Sequence, residues 1–189
     1  MPRSTRQGLV PRLLLMAALL SSGLGVFAIG VPGTPVVVDG AGATTAAQYC
    51  PDSQELAFLT IINRYRRRHN RRPLQLSATL GAAAEHHSLD MAAKDYTSHT
   101  LSDGTSALQN ILNHLYVGNY WGENIAAGTN WDTASEPFGF WKNSDLHRHN
   151  MLNGNFESIG IRRAYNANST WKWYWTTTFG GKFDTGVTC

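Results

Sequence analysis

The sequence predicts an α+β fold in which packed layers of helix cover a small antiparallel sheet. Two observations predict it. Apolar residues at helical spacing occupy the earlier half of the folded region, and strand patterns rich in aromatic and threonine residues come late. Such elements bury their apolar faces by stacking in layers. With 189 residues, of which 42% are hydrophobic, the chain has material for one core and not for several domains.

Four helices are predicted, at about 53–70, 77–94, 105–115 and from Thr133 onward. Phe58, Ile62 and Tyr65 form the buried stripe of the first helix, and Ser53 is its expected N-cap. In the fourth, Thr133 and Glu136 have the spacing of a capping box.

Strands are predicted at about 156–162 and 171–179, joined by the turn-like segment 166–169 as a hairpin. A third strand begins near Trp121 and contains Glu123 and Ile125.

The first 28 residues are predicted to be a secretory signal peptide. Three arginines precede or flank an apolar run, and small residues follow it up to Ala28. An uncleaved membrane anchor is the rival interpretation, but the run is shorter than the roughly 20 apolar residues that span a bilayer. Residues 29–50, rich in Gly, Pro, Val, Ala and Thr, are expected to be a flexible linker, and 51–189 the folded domain.

Removal of the signal peptide leaves 13 basic against 13 acidic residues, so the mature chain is formally neutral. The global electrostatic case for a nucleic-acid partner therefore disappears. Export predicts an extracellular location without stable membrane insertion. It also predicts a disulfide between Cys50 and Cys189, the alternative being two free thiols.

No self-contained catalytic motif is present, so a site has to be assembled from distant segments. The candidates are His99, Glu123 and His147. Two imidazoles and one carboxylate suit zinc with an open position for water, and without a metal Glu123 would orient one imidazole as a general base. The plainer alternative is that these histidines only form hydrogen bonds within a cleft.

The segments around these residues resemble the CAP superfamily, which comprises the cysteine-rich secretory, antigen 5 and plant pathogenesis-related proteins, and in particular its bacterial branch. The matching blocks are Asn63-Arg64-Tyr65-Arg66, His87-Ser88, Ser98-His99, Asp103-Gly104, Gly122-Glu123-Asn124-Ile125, and the W-x-x-S-x-x-H-R-x-N-h-L pattern from Trp141 to Leu152. The resemblance implies a three-layer α-β-α sandwich with a broad cleft. It assigns His99 and His147 as zinc ligands and Glu123 as the cleft acid, whereas a second family acid is replaced by Ser144.

Other residues have structural assignments. Asn124, Ser144 and Trp141 are expected to support the cleft, and His87 is expected to be a satisfied core residue. His149 is a minor candidate ligand beside the site. Six arginines between positions 64 and 72 form either a solvated helix end or a patch for anionic lipids or cell-wall polymers.

The leading functional prediction is a secreted CAP protein whose cleft binds a small or extended ligand, such as a lipid, a peptide or a cell-wall component, with zinc as the candidate cofactor. The alternative is a metal-dependent hydrolase that uses His99, His147 and Glu123, with Glu123 and His147 as the catalytic candidates. A third class, a surface interaction protein, would depend on the arginines instead of the cleft.

Overall fold

The computed structural model describes residues 49–189. The predicted signal peptide and all of the predicted linker except its last two residues lie outside the described residues. Five helices and four strands follow in the order α1 (Ser53–Arg68), β1 (Gln75–Leu76), α2 (Ala78–Lys94), α3 (Ala107–Asn113), β2 (Trp121–Gly128), α4 (Ser135–Lys142), α5 (Asp145–Leu152), β3 (Ser158–Tyr165) and β4 (Trp173–Gly180).

The strands form one sheet in the order β1-β3-β4-β2. β4 is antiparallel to both β3 and β2, so the predicted hairpin and third strand are confirmed. The short β1 adds to β3 in parallel, with Gln75 opposite Ser158. The sequence does not predict β1, because two residues show no strand periodicity.

Helices cover both faces of the sheet, which confirms the three-layer arrangement. α1, α4 and α5 enclose a core whose largest members are Phe58, Trp141, Trp175 and Phe179. On the other face α2 packs on β3 and β4. This approach is close because Gly160 has no side chain: a Cβ there would lie 2.2 Å from the backbone of Leu80.

Two helix starts differ from the prediction. The N-cap of α1 is Asp52, not Ser53: its carboxylate accepts hydrogen bonds from the backbone N–H groups of Gln54 and Glu55, and the Glu55 carboxylate accepts one from the Asp52 N–H. The region after Thr133 forms two short helices. Glu136 does accept hydrogen bonds from Thr133, yet α4 begins only at Ser135.

The start of the described chain is part of the fold. The ring of Tyr49 is buried over Gly81, and its hydroxyl donates to the Ile161 carbonyl at 2.5 Å. This packing places Tyr49 in the domain, whereas the sequence predicts that it belongs to the linker.

The two cysteines are free, exposed thiols and not the predicted disulfide. They are nevertheless neighbours, and the interaction with the Cys50 thiol raises the pKa of the Cys189 thiol. Within residues 49–189, none of the helices has the length and apolar character needed to cross a membrane.

Candidate functional site

Glu123 lies at the centre of the candidate site. It occupies β2 opposite Thr178 of β4, and its side chain is only 2% exposed. Both carboxylate oxygens contact imidazoles: Oε2 is 2.7 Å from His87 Nδ1, and Oε1 is 2.7 Å from His99 Nδ1. Burial would raise the pKa of Glu123, but hydrogen bonds from the two imidazoles lower it below its usual value. Glu123 is therefore a buried carboxylate bridging two histidines.

His87 reaches Glu123 from α2 and is completely buried. Its Nε2 donates to the Ser98 carbonyl at 2.8 Å, because a carbonyl can only accept. A proton therefore occupies Nε2, and Nδ1 lies against Glu123 Oε2. His87 thus ties α2 and the Ser98 loop to β2.

His99 lies in the loop after α2, next to Ser98, and its side chain is 55% exposed. The hydrogen bond to Glu123 raises the pKa of His99, burial opposes this shift, and the Glu123 charge adds to it. Its Nδ1 is engaged by Glu123, whereas Nε2 makes no hydrogen bond within the described residues. A carboxylate that holds Nδ1 fixes the ring orientation and leaves Nε2 available for a ligand.

A hollow of about 610 Å³ opens beside His99, and we call it the β2 hollow. Besides His99, its lining includes Leu108, Trp121, Glu123 and Asn150. Trp121 is 47% exposed. The β2 hollow therefore combines an imidazole, an amide and an accessible indole.

Two asparagines attach α5 to β2. Asn150 donates from Nδ2 to the Glu123 carbonyl at 3.1 Å and to Asn124 Oδ1 at 2.9 Å. Asn124 in turn donates to the His147 carbonyl at 3.1 Å. These contacts fix the backbone of the site and leave the Glu123 carboxylate free for the histidines.

His147 lies on α5 and lines a different hollow of about 370 Å³, together with Ile125, Phe140 and Trp171. Its Nδ1 is buried without a hydrogen-bond partner among the described residues. Burial lowers the pKa of His147, and the charge of His99 lowers it further. The structure thus joins His99 to Glu123 but places His147 beside this pair, not in contact with the carboxylate.

Trp141 and Ser144 do not line either hollow. Trp141 is completely buried and donates from Nε1 to the Ile125 carbonyl at 3.0 Å, so it supports β2 from the core. Ser144 is at the N-cap position of α5, but its hydroxyl makes no capping hydrogen bond. His149, the minor candidate, lies on α5 in a third hollow with Arg71 and Arg148.

The predicted ligand set does not fit zinc in this arrangement. Protein zinc sites use three or four donors. Here both Glu123 oxygens are occupied by imidazoles, and His99 and His147 line different hollows. Within residues 49–189, no group of three or more His, Cys, Asp or Glu side chains is arranged to hold a metal ion.

Sequence reasoning assigns His87 to the core and does not connect it with Glu123. The position of His87 could have indicated such a contact, because a histidine on a buried stripe of alanines needs a polar partner in the core. His87 is buried as predicted, but its partner is the carboxylate of the site itself.

A four-stranded sheet enclosed by helices on both faces is the three-layer fold of bacterial CAP, or SCP, domains. The model of the cysteine-rich secretory protein family (CAP) matches residues 59–179, and the chain belongs to this family.

Two relatives support this assignment, and a further solved structure shares the fold. The uncharacterized protein YkwD of Bacillus subtilis is 30% identical over 148 residues, which are 78% of this chain and 55% of that protein. An extracellular SCP-domain protein of Bacillus anthracis is 26% identical with a TM-score of 0.60, over 68% of this chain and 40% of that one. An outer surface protein of Borrelia burgdorferi shares the fold, with 23% identity and a TM-score of 0.59 over 70% of this chain and 97% of that chain. The chain therefore spans about half the length of the curated relative it matches.

Proposed function

We propose that the chain is a secreted binding module whose β2 hollow takes an amphipathic ligand with an acidic or hydrogen-bond-accepting head. The contact between His99 and Glu123 carries the proposal. It holds one ring nitrogen in place and leaves the other available beside an accessible tryptophan. The ligand head binds at His99 Nε2, and its apolar part packs on Trp121 and Leu108. The descriptions of the Bacillus anthracis and Borrelia burgdorferi proteins as extracellular and outer-surface support export.

The chemistry of His99 favours an acceptor on the ligand. Because Glu123 raises the pKa of His99, the ring remains protonated to higher pH than a free histidine. A protonated Nε2 donates a charge-assisted hydrogen bond to a carboxylate or carbonyl. The same shift makes His99 a weaker candidate for a general base, so we propose binding without turnover.

Hydrolysis is the second candidate function. One observation favours it: a buried carboxylate orients an accessible imidazole, which is the arrangement of a general base. It requires that neutral His99 activates a water molecule. This path involves no metal, since the donor set does not fit one.

Titration with dodecanoate, followed by calorimetry and tryptophan fluorescence, tests the binding proposal. We expect saturable binding that is weakened at least about tenfold in His99→Ala and in Trp121→Ala. His69→Ala, which changes an exposed histidine at the end of α1, is the matched control and should bind like the parent chain. Dodecanol, which lacks the acid, should bind more weakly than dodecanoate.

Binding that is unaffected in His99→Ala would overturn this assignment of the site. Product formation from peptide or ester substrates that persists with chelator, and disappears in His99→Ala, would favour hydrolysis instead.

A further inference from the structure

A separate hollow of about 390 Å³ lies between the end of α1 and α5, and we call it the arginine hollow. Its lining includes Arg71, Arg148, His149, Asn153 and Gly154, with Asp145 as its acid. None of the large exposed hydrophobic side chains of the described residues belongs to this lining. The surface is therefore concave, polar and rich in cationic side chains.

The backbone at the end of α1 places Arg71 there. His69 is the C-cap, and Asn70 has a left-handed φ of 55°. The Arg71 N–H then donates to the Arg66 carbonyl at 2.9 Å, and the Asn70 N–H to the Arg67 carbonyl at 3.1 Å. These two bonds form a Schellman motif, which turns the chain away from the helix axis.

Arg66 builds the wall behind the hollow and does not belong to the exposed arginine patch predicted from sequence. It is completely buried, and its guanidinium donates to the carbonyls of Met151, Asn153 and Phe156 at 2.8–3.1 Å. Burial lowers the pKa of Arg66 to about 10, helped by the charge of Arg71. Arg66 thereby fixes α1 against the end of α5, so the hollow has rigid walls.

Most of the positive charge around the hollow has no acidic partner. No acidic residue occurs in the sequence between Glu55 and Glu85, a stretch that contains six arginines. Arg148 pairs with Asp145. In the described chain Arg71 makes no side-chain hydrogen bond or ion pair, and Arg67 and Arg68 in the last turn of α1 are exposed without one.

We propose that the arginine hollow binds a phosphate group of an anionic cell-surface polymer, and that the exposed arginines of α1 contact its neighbouring phosphates. A planar guanidinium matches phosphate oxygens in a bidentate manner, and Arg71 is the unpaired donor of a hollow that also contains Arg148, paired with Asp145. A row of basic residues leading to a hollow suits an extended chain of repeated anions. A membrane surface is less suitable, because binding to it combines basic with exposed apolar side chains, and the apolar side chain of this lining, Leu152, is half-buried. This site is independent of the β2 hollow.

The test uses a soluble poly(glycerol phosphate) oligomer, inorganic phosphate and vesicles containing phosphatidylglycerol, each titrated into the purified protein. We expect the oligomer to bind in a salt-sensitive manner and more tightly than inorganic phosphate. Arg71→Gln should weaken oligomer binding about tenfold or more, while Arg72→Gln, the same change of charge at the neighbouring exposed position outside the hollow, should have a much smaller effect.

Amide chemical shifts provide a second readout that needs no variant. The Arg71 and Gly154 signals of the parent chain should move on addition of the oligomer, while signals of β2 stay in place. Equal losses in Arg71→Gln and Arg72→Gln would overturn the proposal, and so would binding to vesicles without binding to the oligomer, which would identify a membrane surface instead.

Discussion

His87 Nδ1 lies 2.7 Å from Glu123 Oε2 in the core of the domain, although 36 positions separate the two residues. The contact links the helix on one face of the sheet to the central residue of the candidate site. Because His87 Nε2 is bonded to the Ser98 carbonyl, the same ring also holds the loop that carries His99. The position of His99 in the β2 hollow therefore depends on a residue that does not line the hollow.

The first prediction concerns this buried pair. His87→Ala removes one partner of a buried carboxylate and leaves the Ser98 carbonyl without its donor. Glu123 keeps its contact with His99, and each group left without a hydrogen-bond partner costs about 1–3 kcal/mol. Urea unfolding of the variant should show a loss of this size or more, whereas His69→Ala, which removes one exposed hydrogen bond to the Tyr65 carbonyl, should lose about 1 kcal/mol or less. An unchanged midpoint in His87→Ala would mean that the pair does not stabilise the fold.

The long elements of the fold can be predicted from sequence because their periodicity extends over many residues. The predicted α2, β2 and β4 begin within one or two residues of their observed starts. β1 has only two residues and exists because β3 lies beside it. The break between α4 and α5 leaves no signal from a proline or glycine, since Asn143 and Ser144 are compatible with several backbone conformations.

The site can be predicted only in part. The sequence assigns His99 and Glu123 to one cleft, and they are in contact. The direction of His147 is not predictable, because it depends on how α5 packs on β2 through Asn124 and Asn150. His87 is predicted as a core residue, and only the three-dimensional structure connects it with the carboxylate.

The second prediction is that the pKa values of His99 and His147 are shifted in opposite directions. The pKa of His99 should lie above the ordinary value of about 6.5, and that of His147 below it, since His99 gains a carboxylate partner while His147 is half-buried beside a positive charge. Ring-proton NMR across pH 4–9 measures both. In Glu123→Gln the pKa of His99 should fall toward 6.5. A His99 pKa that stays unchanged in this variant would contradict the role of Glu123.

The third prediction concerns the pH dependence of stability at Glu55, which caps α1 from a buried position and lies 3.8 Å from the Arg162 guanidinium. Burial raises the pKa of Glu55 to about 7 from an ordinary value near 4.5. The folded chain therefore binds more protons than the unfolded chain between these values. This contribution to the free energy of unfolding is complete below about pH 4.5 and is lost as pH rises through about 7.

Glu55→Gln tests the assignment because the glutamine oxygen can still accept from the Asp52 N–H, while the lost acceptor at the Arg163 N–H is a loss that does not depend on pH. Chemical unfolding at several pH values should show that the difference between parent and variant changes by a few kcal/mol between pH 4.5 and 8. A difference that stays constant over this range would show that Glu55 does not titrate there.

The fourth prediction is that the neighbouring thiols of Cys50 and Cys189 form a disulfide under oxidising conditions. Oxidised glutathione supplies the oxidant and leaves as two molecules of reduced glutathione when the bond is complete. Closing a loop that contains nearly the whole domain should raise the free energy of unfolding by about 2–4 kcal/mol. Mass spectrometry should show the loss of two hydrogens, and Cys50→Ser should show neither the mass change nor the stabilisation. Mixed disulfides with glutathione without ring closure would contradict the prediction.

The fifth prediction concerns zinc, for which the family resemblance supplies two ligands that the structure does not bring together with a third. His99 and His147 line different hollows, and both oxygens of the Glu123 carboxylate already contact imidazoles, those of His87 and His99. Within residues 49–189, a zinc ion at His99 Nε2 would find no arranged set of three His, Cys, Asp or Glu ligands. Calorimetric titration should therefore give at most weak binding, with a dissociation constant above about 10 μM, which is a binding free energy of about 7 kcal/mol or less. Structural zinc sites have apparent binding free energies of roughly 10–16 kcal/mol. The double variant His99→Ala/His147→Ala should bind zinc about as weakly as the parent chain. Stoichiometric binding at nanomolar zinc that is lost in this variant would show that the cleft rearranges around the ion.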